Sequence, residues 1–301
     1  MITQLPSWLA EPFAQLTQSA LVQRGHAFLL LGPQGLGQEA LQQTVAQHWL
    51  ASSMADNPDI VLVEALEGKR DIGVDQIRAL TSWAQQTAHG SAGRVVMIRQ
   101  LERLNTAAAN SLLKTLEEPP SGVRFLLTAS RAGKLLPTLL SRCQRLNLPV
   151  PSSDLAIEWL LANVASVSEA DCRLALQLHT GAPLAAQAWL VSGGLTEWKE
   201  WQSLWQASVQ QRIASLPLIE YARKDAQRFC RLLGAQAYVD GQRYDQLLPW
   251  QLLRLVWQVE KALAQNLSKE LLLDNLLQSV NAVLAGQLPN MKVSQRRGML
   301  A

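Results

Sequence analysis

Four short apolar runs, at residues 27–31, 59–63, 94–98 and 123–128, alternate with helical patterns at 37–50, 74–88 and 106–117. That alternation dictates a parallel sheet covered by helices. Run 94–98, Arg94-Val95-Val96-Met97-Ile98, is nearly all apolar, as a strand buried on both faces must be. It belongs among the central strands. The pattern at 106–117 begins after Asn105, a good N-cap, and stops at Glu117-Glu118-Pro119-Pro120, where prolines forbid continuation.

Past Pro149-Val150-Pro151 the strand-like runs vanish, and apolar residues recur at helical spacing almost to the end. Segments 153–164, 169–178 and 184–191 suit a small three-helix unit, with Gly181 and Pro183 breaking the chain before the third helix. From Leu195 onward the pattern is all helical. Trp198, Trp201 and Trp205 lie three and four residues apart, so one helix face there is aromatic, suited to core packing or to a subunit interface. The expected organisation is α/β then all-α, with domains at 1–150, 151–194 and 195–301, and 301 residues are too many for one ordinary core.

Composition narrows the function classes. With 48% hydrophobic and 17% charged residues, the chain is a soluble globular protein on the apolar side. Its apolar runs are far shorter than a membrane span, and no basic segment leads a hydrophobic one at Met1–Pro6, so a cytoplasmic location is expected. Cys143, Cys172 and Cys230 are widely spaced and offer neither a disulfide framework nor a zinc motif. A net charge of +3 falls well short of a dense nucleic-acid stripe. The basic residues Lys292, Arg296 and Arg297 near the C-terminus read as solvated.

Residues Gly32-Pro33-Gln34-Gly35-Leu36-Gly37-Gln38-Glu39 follow the first apolar run and lead into a helix, the context of a phosphate-binding loop. In that loop backbone N–H groups wrap phosphates, a lysine neutralises them and a Ser/Thr hydroxyl holds Mg²⁺. Here Gln38 stands in place of the lysine and Glu39 in place of the hydroxyl. Gly32, Gly35 and Gly37 keep the shell while the chemistry is lost. A bare βα turn is the plainer reading of the same glycines.

The block Asn110-Ser111-Leu112-Leu113-Lys114-Thr115-Leu116-Glu117-Glu118-Pro119-Pro120, then Phe125-Leu126-Leu127-Thr128, then Ser141-Arg142-Cys143, resembles the signature of bacterial clamp-loader AAA+ proteins. Gly73-Val74-Asp75-Gln76-Ile77-Arg78 resembles the family segment between the P-loop and Walker B. The resemblance covers about residues 25–150 strongly. It implies a RecA-like P-loop (AAA+) sheet domain, a small helical lid and a C-terminal helical collar.

The same resemblance sets expectations for the site. Walker B carboxylates are replaced by Arg99 and Gln100, with Glu102 displaced by two residues, and Leu184 falls where an active member carries a lid arginine. No ATP hydrolysis is therefore expected, and no cofactor. The resemblance implies that the zinc module of related subunits is deleted between Trp49 and Asp59, where no cysteine stands, so no zinc is expected. Arg142 is the expected arginine finger, acting in trans on a neighbour's ATP site, where such a residue is worth roughly 10³–10⁵ in rate. Ser141 and Cys143 support it locally. Lys114, Arg78, Arg94 and Arg131 are ambiguous between DNA contact and ordinary solvation. Implied partners are the γ/τ ATPase subunits, the δ subunit, the β sliding clamp and primed DNA, in a pentameric hetero-oligomer with no membrane association. The chain would be a non-catalytic subunit of the DNA polymerase III holoenzyme. Rival readings are an active AAA+ ATPase with an atypical loop and a stand-alone DNA-binding adaptor.

Overall fold

A computed structural model describes residues 5–18, 25–51, 53, 57–244, 247–263 and 268–287. Strands β1 (Ala27–Leu31), β2 (Ile60–Val63), β3 (Arg94–Ile98), β4 (Val123–Ala129) and β5 (Gln144–Asn147) form one sheet in the order β2-β3-β4-β1-β5. Every neighbouring pair is parallel. Successive side chains on a strand point to opposite faces. Leu29, Val96, Ile98, Phe125 and Leu127 accordingly meet Ile77 and Leu80 of helix Val74–Ala84 and Leu112 of helix Thr106–Glu117. Phe28, Leu30, Val95, Met97 and Leu126 meet Leu41 and Val45 of helix Gln38–Leu50 on the other face. The sheet is an α/β layer, as the alternation of apolar runs dictates, and it agrees with the RecA-like AAA+ type that the resemblance implies.

β1 and β3 span the residues expected of them, and β3 is buried at all five positions in the sheet interior. Helix Thr106–Glu117 also matches, with the Asn105 side chain accepting from the Ala108 N–H at 2.8 Å. Helix Val74–Ala84 ends four residues short of the expected 88. The reason is a buried ion pair. Arg94, only 2% exposed, lies with Nε 3.4 Å from Asp59 and donates to the carbonyls of Trp83 and Thr87. Asp59 in turn accepts the N–H groups of His89 and Gly90 at 2.9 and 2.8 Å. The Thr87 carbonyl and the His89 and Gly90 N–H groups thus find their partners in side chains, and the helical ladder is not continued. This also corrects one expectation: buried Arg94 has no access to a DNA phosphate.

Gly93 shows why that corner admits no other residue. Its φ is +85°, and a Cβ there would stand 2.2 Å from the Gly122 carbonyl oxygen. That carbonyl accepts the Arg94 N–H at 2.9 Å and ties the start of β3 to β4.

The chain divides into two compact units, one ending at Gln187 and the other beginning at Ala188. Helices Ser153–Asn163 and Glu169–Leu178 belong to the first, as does the start of helix Pro183–Val191. Helices Gly194–Gln211, Leu216–Lys224, Ala226–Tyr244, Leu247–Leu263 and Lys269–Leu284 make up the second. Among the described residues no helix is long and apolar enough to cross a membrane.

The aromatic face of helix Gly194–Gln211 packs into the core of its own unit. Trp198, Trp201 and Trp205 are 5%, 0% and 7% exposed. Trp201 stacks on Trp205 with centroids 6.0 Å apart, meets Phe229 edge-on at 5.8 Å, and donates its indole N–H to Gln236 at 3.3 Å. These three side chains are not available as the apolar interface that the sequence also allowed. Lys292, Arg296 and Arg297 lie outside the described residues.

Candidate functional site

The glycine-rich loop leaves the end of β1 and runs into helix Gln38–Leu50. Gly35 and Gly37 hold φ of +92° and +101°, which only glycine adopts without strain. The strand, loop and helix of a P-loop are present. The interior of the loop is occupied by its own side chain: the buried Gln38 amide donates through Nε2 to the carbonyls of Gly32 and Pro33, each at 2.7 Å. A lysine ammonium would project a charge outward to phosphate; this amide turns inward and satisfies loop carbonyls.

Two other segments close over the loop. Trp8 donates its indole N–H to the Leu36 carbonyl at 2.9 Å, and Leu9 packs beside Gly37. From the other side the Leu184 N–H reaches the Gly35 carbonyl at 3.0 Å, and a Cβ on Gly35 would stand 2.4 Å from that of Ala185. Leu184, at the place of a lid arginine, is thus an apolar contact on the loop.

An ion pair stands where the resemblance implies metal ligands. Glu39 lies 3.5 Å from Arg99, which follows β3 where a Walker B carboxylate belongs, and Arg99 donates to Glu64 at 2.9 Å. Gln100 takes a left-handed conformation, φ 52°, with its N–H donating to Thr128 Oγ1 at 3.1 Å. Glu102 turns away and accepts the Ser130 N–H at 3.0 Å. A nucleoside triphosphate with Mg²⁺ needs a cation at Gln38, a hydroxyl at Glu39 and a carboxylate at Arg99. These residues do not fit it.

Arg142 presents a different arrangement. The short helix Pro137–Leu140 ends just before it, and its guanidinium donates to the Thr138 carbonyl at 2.8 Å and to Ser141 Oγ at 3.3 Å. Its other terminal nitrogen pairs with Glu117, the last residue of helix Thr106–Glu117. The side chain stays 31% exposed. Ser141 Oγ donates to the Thr138 carbonyl at 3.0 Å, so it props the turn as well as touching Arg142. Cys143 is buried in the sheet core, and burial pushes its thiol up to about 11.

Three comparisons bear on this geometry. Residues 10–152 match the family model described as DNA polymerase III, delta subunit. The chain is 34% identical to DNA polymerase III subunit delta′ of Haemophilus influenzae, an alignment covering 74% of this chain and 73% of that protein. The chain belongs to the DNA polymerase III subunit delta′ family. Subunit delta′ of Pseudomonas aeruginosa is 32% identical, over 71% of this chain and 70% of its own length. A DNA polymerase III gamma subunit-related protein from Thermotoga maritima aligns at a TM-score of 0.51 and 18% identity, covering 91% of this chain and 99% of that one. That likeness speaks for the fold alone.

Other candidates of this delta′ family member are scattered. Lys114 and Arg131 are exposed, and Arg78 is exposed beside Asp75 at 3.3 Å. Among the described residues no group of three or more His, Cys, Asp and Glu gathers as metal ligands would. Sequence reasoning missed the partners rather than the positions. It read Arg99 only as a lost carboxylate, and it overlooked Glu64, Trp8 and the pairing of Glu117. One signal was available: a carboxylate at the hydroxyl position and a guanidinium at the carboxylate position are a complementary exchange.

Proposed function

We propose that this chain is a non-hydrolysing subunit of a clamp-loader ring in DNA replication, which assists a neighbouring ATPase subunit through Arg142. The domain division 1–150, 151–194 and 195–301 supplies a sheet domain, a lid and a collar for that ring. Its partners would be γ/τ-type ATPase subunits, a δ subunit, the sliding clamp and primed DNA. The observation that carries this reading is the Glu39–Arg99 ion pair at the metal position. A protein with its own loop in this state, yet with a partly exposed arginine on the SRC turn, has a part to play at another subunit's phosphates. Gly32, Gly35, Gly37, Gln38 and Glu39 then act as a structural joint that needs neither ATP nor zinc.

The test is the DNA- and clamp-stimulated ATPase rate of a reconstituted loader, wild type against Arg142→Ala, with assembly checked by gel filtration. A fall of roughly 10³-fold or more at that neighbouring site is expected. An unchanged rate in an intact assembly sinks the proposal.

A further inference from the structure

We infer that Glu117 is the positioning residue of Arg142, an inference that rests on the trans-acting role proposed above. Arg142 is gripped on two sides. The Thr138 carbonyl and Ser141 Oγ hold one terminal nitrogen from the turn itself. Glu117 holds the other from a separate helix, 25 residues earlier in the chain. Among the described residues Nε makes no hydrogen bond, and the side chain remains 31% exposed, so the guanidinium keeps donors for an incoming anion. An arginine carries five N–H donors in a planar fork and is never deprotonated in a protein. A carboxylate on one edge therefore fixes the plane without exhausting the group.

Glu117 itself is anchored by position. The two prolines after Glu118 end its helix, and Leu116 and Thr115 just before it are buried. The carboxylate is thus presented at a defined point on the rim of the sheet domain.

A carboxylate beside an arginine can either hold it ready or hold it back, and magnitudes decide. Glu117 is 48% exposed. An ion pair that open to water favours its closed geometry by about fivefold at most, too little to withhold the arginine from a polyphosphate. Misplacing a catalytic group by about 1 Å costs on the order of 10²-fold in rate. A weak restraint is therefore a poor lock and an effective guide.

The test uses a loader reconstituted with the full chain, ATP, primed DNA and the sliding clamp. It compares kcat and KM for ATP in wild type, Arg142→Ala, Glu117→Ala, Glu117→Gln and the Arg142→Ala/Glu117→Ala double variant. Glu117→Ala is expected to lower kcat by up to about fivefold with KM unchanged. Glu117→Gln should recover most of that loss, because an amide oxygen still accepts from the guanidinium. The double variant should match Arg142→Ala alone, since a guide without its arginine has nothing to position. A wild-type kcat in Glu117→Ala, beside a low one in Arg142→Ala, overturns the inference and leaves the proposed function standing. So does a raised kcat, or losses that simply add. An unaffected Arg142→Ala removes both. If the alanine variant fails to assemble, a Glu117→Gln rate at the Arg142→Ala level likewise overturns the inference.

Discussion

Glu39 and Arg99 are 3.5 Å apart, and they stand where a P-loop hydroxyl and a Walker B carboxylate would share a magnesium ion. The exchange of charge is reciprocal, and Arg99 is held between Glu39 and Glu64. Restoring two residues does not restore the site. Gln38→Lys with Glu39→Thr is expected to show no saturable ATP binding by titration calorimetry, because Arg99 keeps its charge and Leu184 and Ala185 still lie on the loop. Saturable binding with Mg²⁺ would refute this account of the loop.

Arg94 is the most consequential charge outside the site. Arg94→Ala leaves Asp59 buried without its guanidinium and frees the carbonyls of Trp83 and Thr87. Breaking such a pair costs about 3–5 kcal/mol. Urea unfolding should register a loss in that range, and a loss under about 1 kcal/mol would mean that water replaces the pair.

Asp59 also sets a pH dependence. Burial by itself would raise its pKa, but the N–H groups of His89 and Gly90, with the His89 ring, hold it below the ordinary value of 3.8. A depressed carboxylate contributes stability that is fully present above its unfolded pKa and is lost as pH falls through the folded one. The gap in stability between wild type and Asp59→Asn should therefore be constant from neutral pH down to about pH 5 and narrow below that. Denaturant midpoints of both proteins across this range check it; a gap that widens in acid contradicts it.

Trp201→Ala should cost about 3–5 kcal/mol, as aromatic-to-alanine changes in a packed core do. It removes the ring at the centre of Trp205, Phe229 and Tyr221. The near-ultraviolet dichroism of the second unit should collapse with the stability. Undiminished stability together with lost subunit assembly would instead make this face an interface.

The thiols should be silent in the native protein. Cys143, Cys172 and Cys230 are all buried, and burial pushes Cys143 up to about 11 and Cys230 up to about 12. Iodoacetamide at about pH 8 is expected to label none until denaturant is added, since the thiolate is the nucleophile. Fast native labelling at Cys143 would contradict its place in the sheet core.

Much of the sheet was legible because burial on both faces leaves an uninterrupted apolar run, as in Ala27–Leu31 and Arg94–Ile98. β5 was not. Gln144-Arg145-Leu146-Asn147 sits at the sheet edge with only Leu146 apolar, and its pairing with β1 comes from position rather than composition. Helix Val74–Ala84 was read too long because its periodicity continues, whereas the Asp59–Arg94 pair captures the backbone beyond it.

The sequence by itself determined the alternation that makes the sheet, the glycines of the loop, the absence of a lysine and hydroxyl there, and the presence of Arg142. Those depend on residue type at fixed local spacing. Tertiary structure alone decided that Gln38 turns into its own loop, that Arg99 meets Glu39, that Trp198, Trp201 and Trp205 face inward, and that Glu117 grips Arg142. Except for the Gln38 turn, these contacts join residues far apart in the chain or on different elements. Local periodicity carries no information about which distant side chain will satisfy a charge or cover a ring.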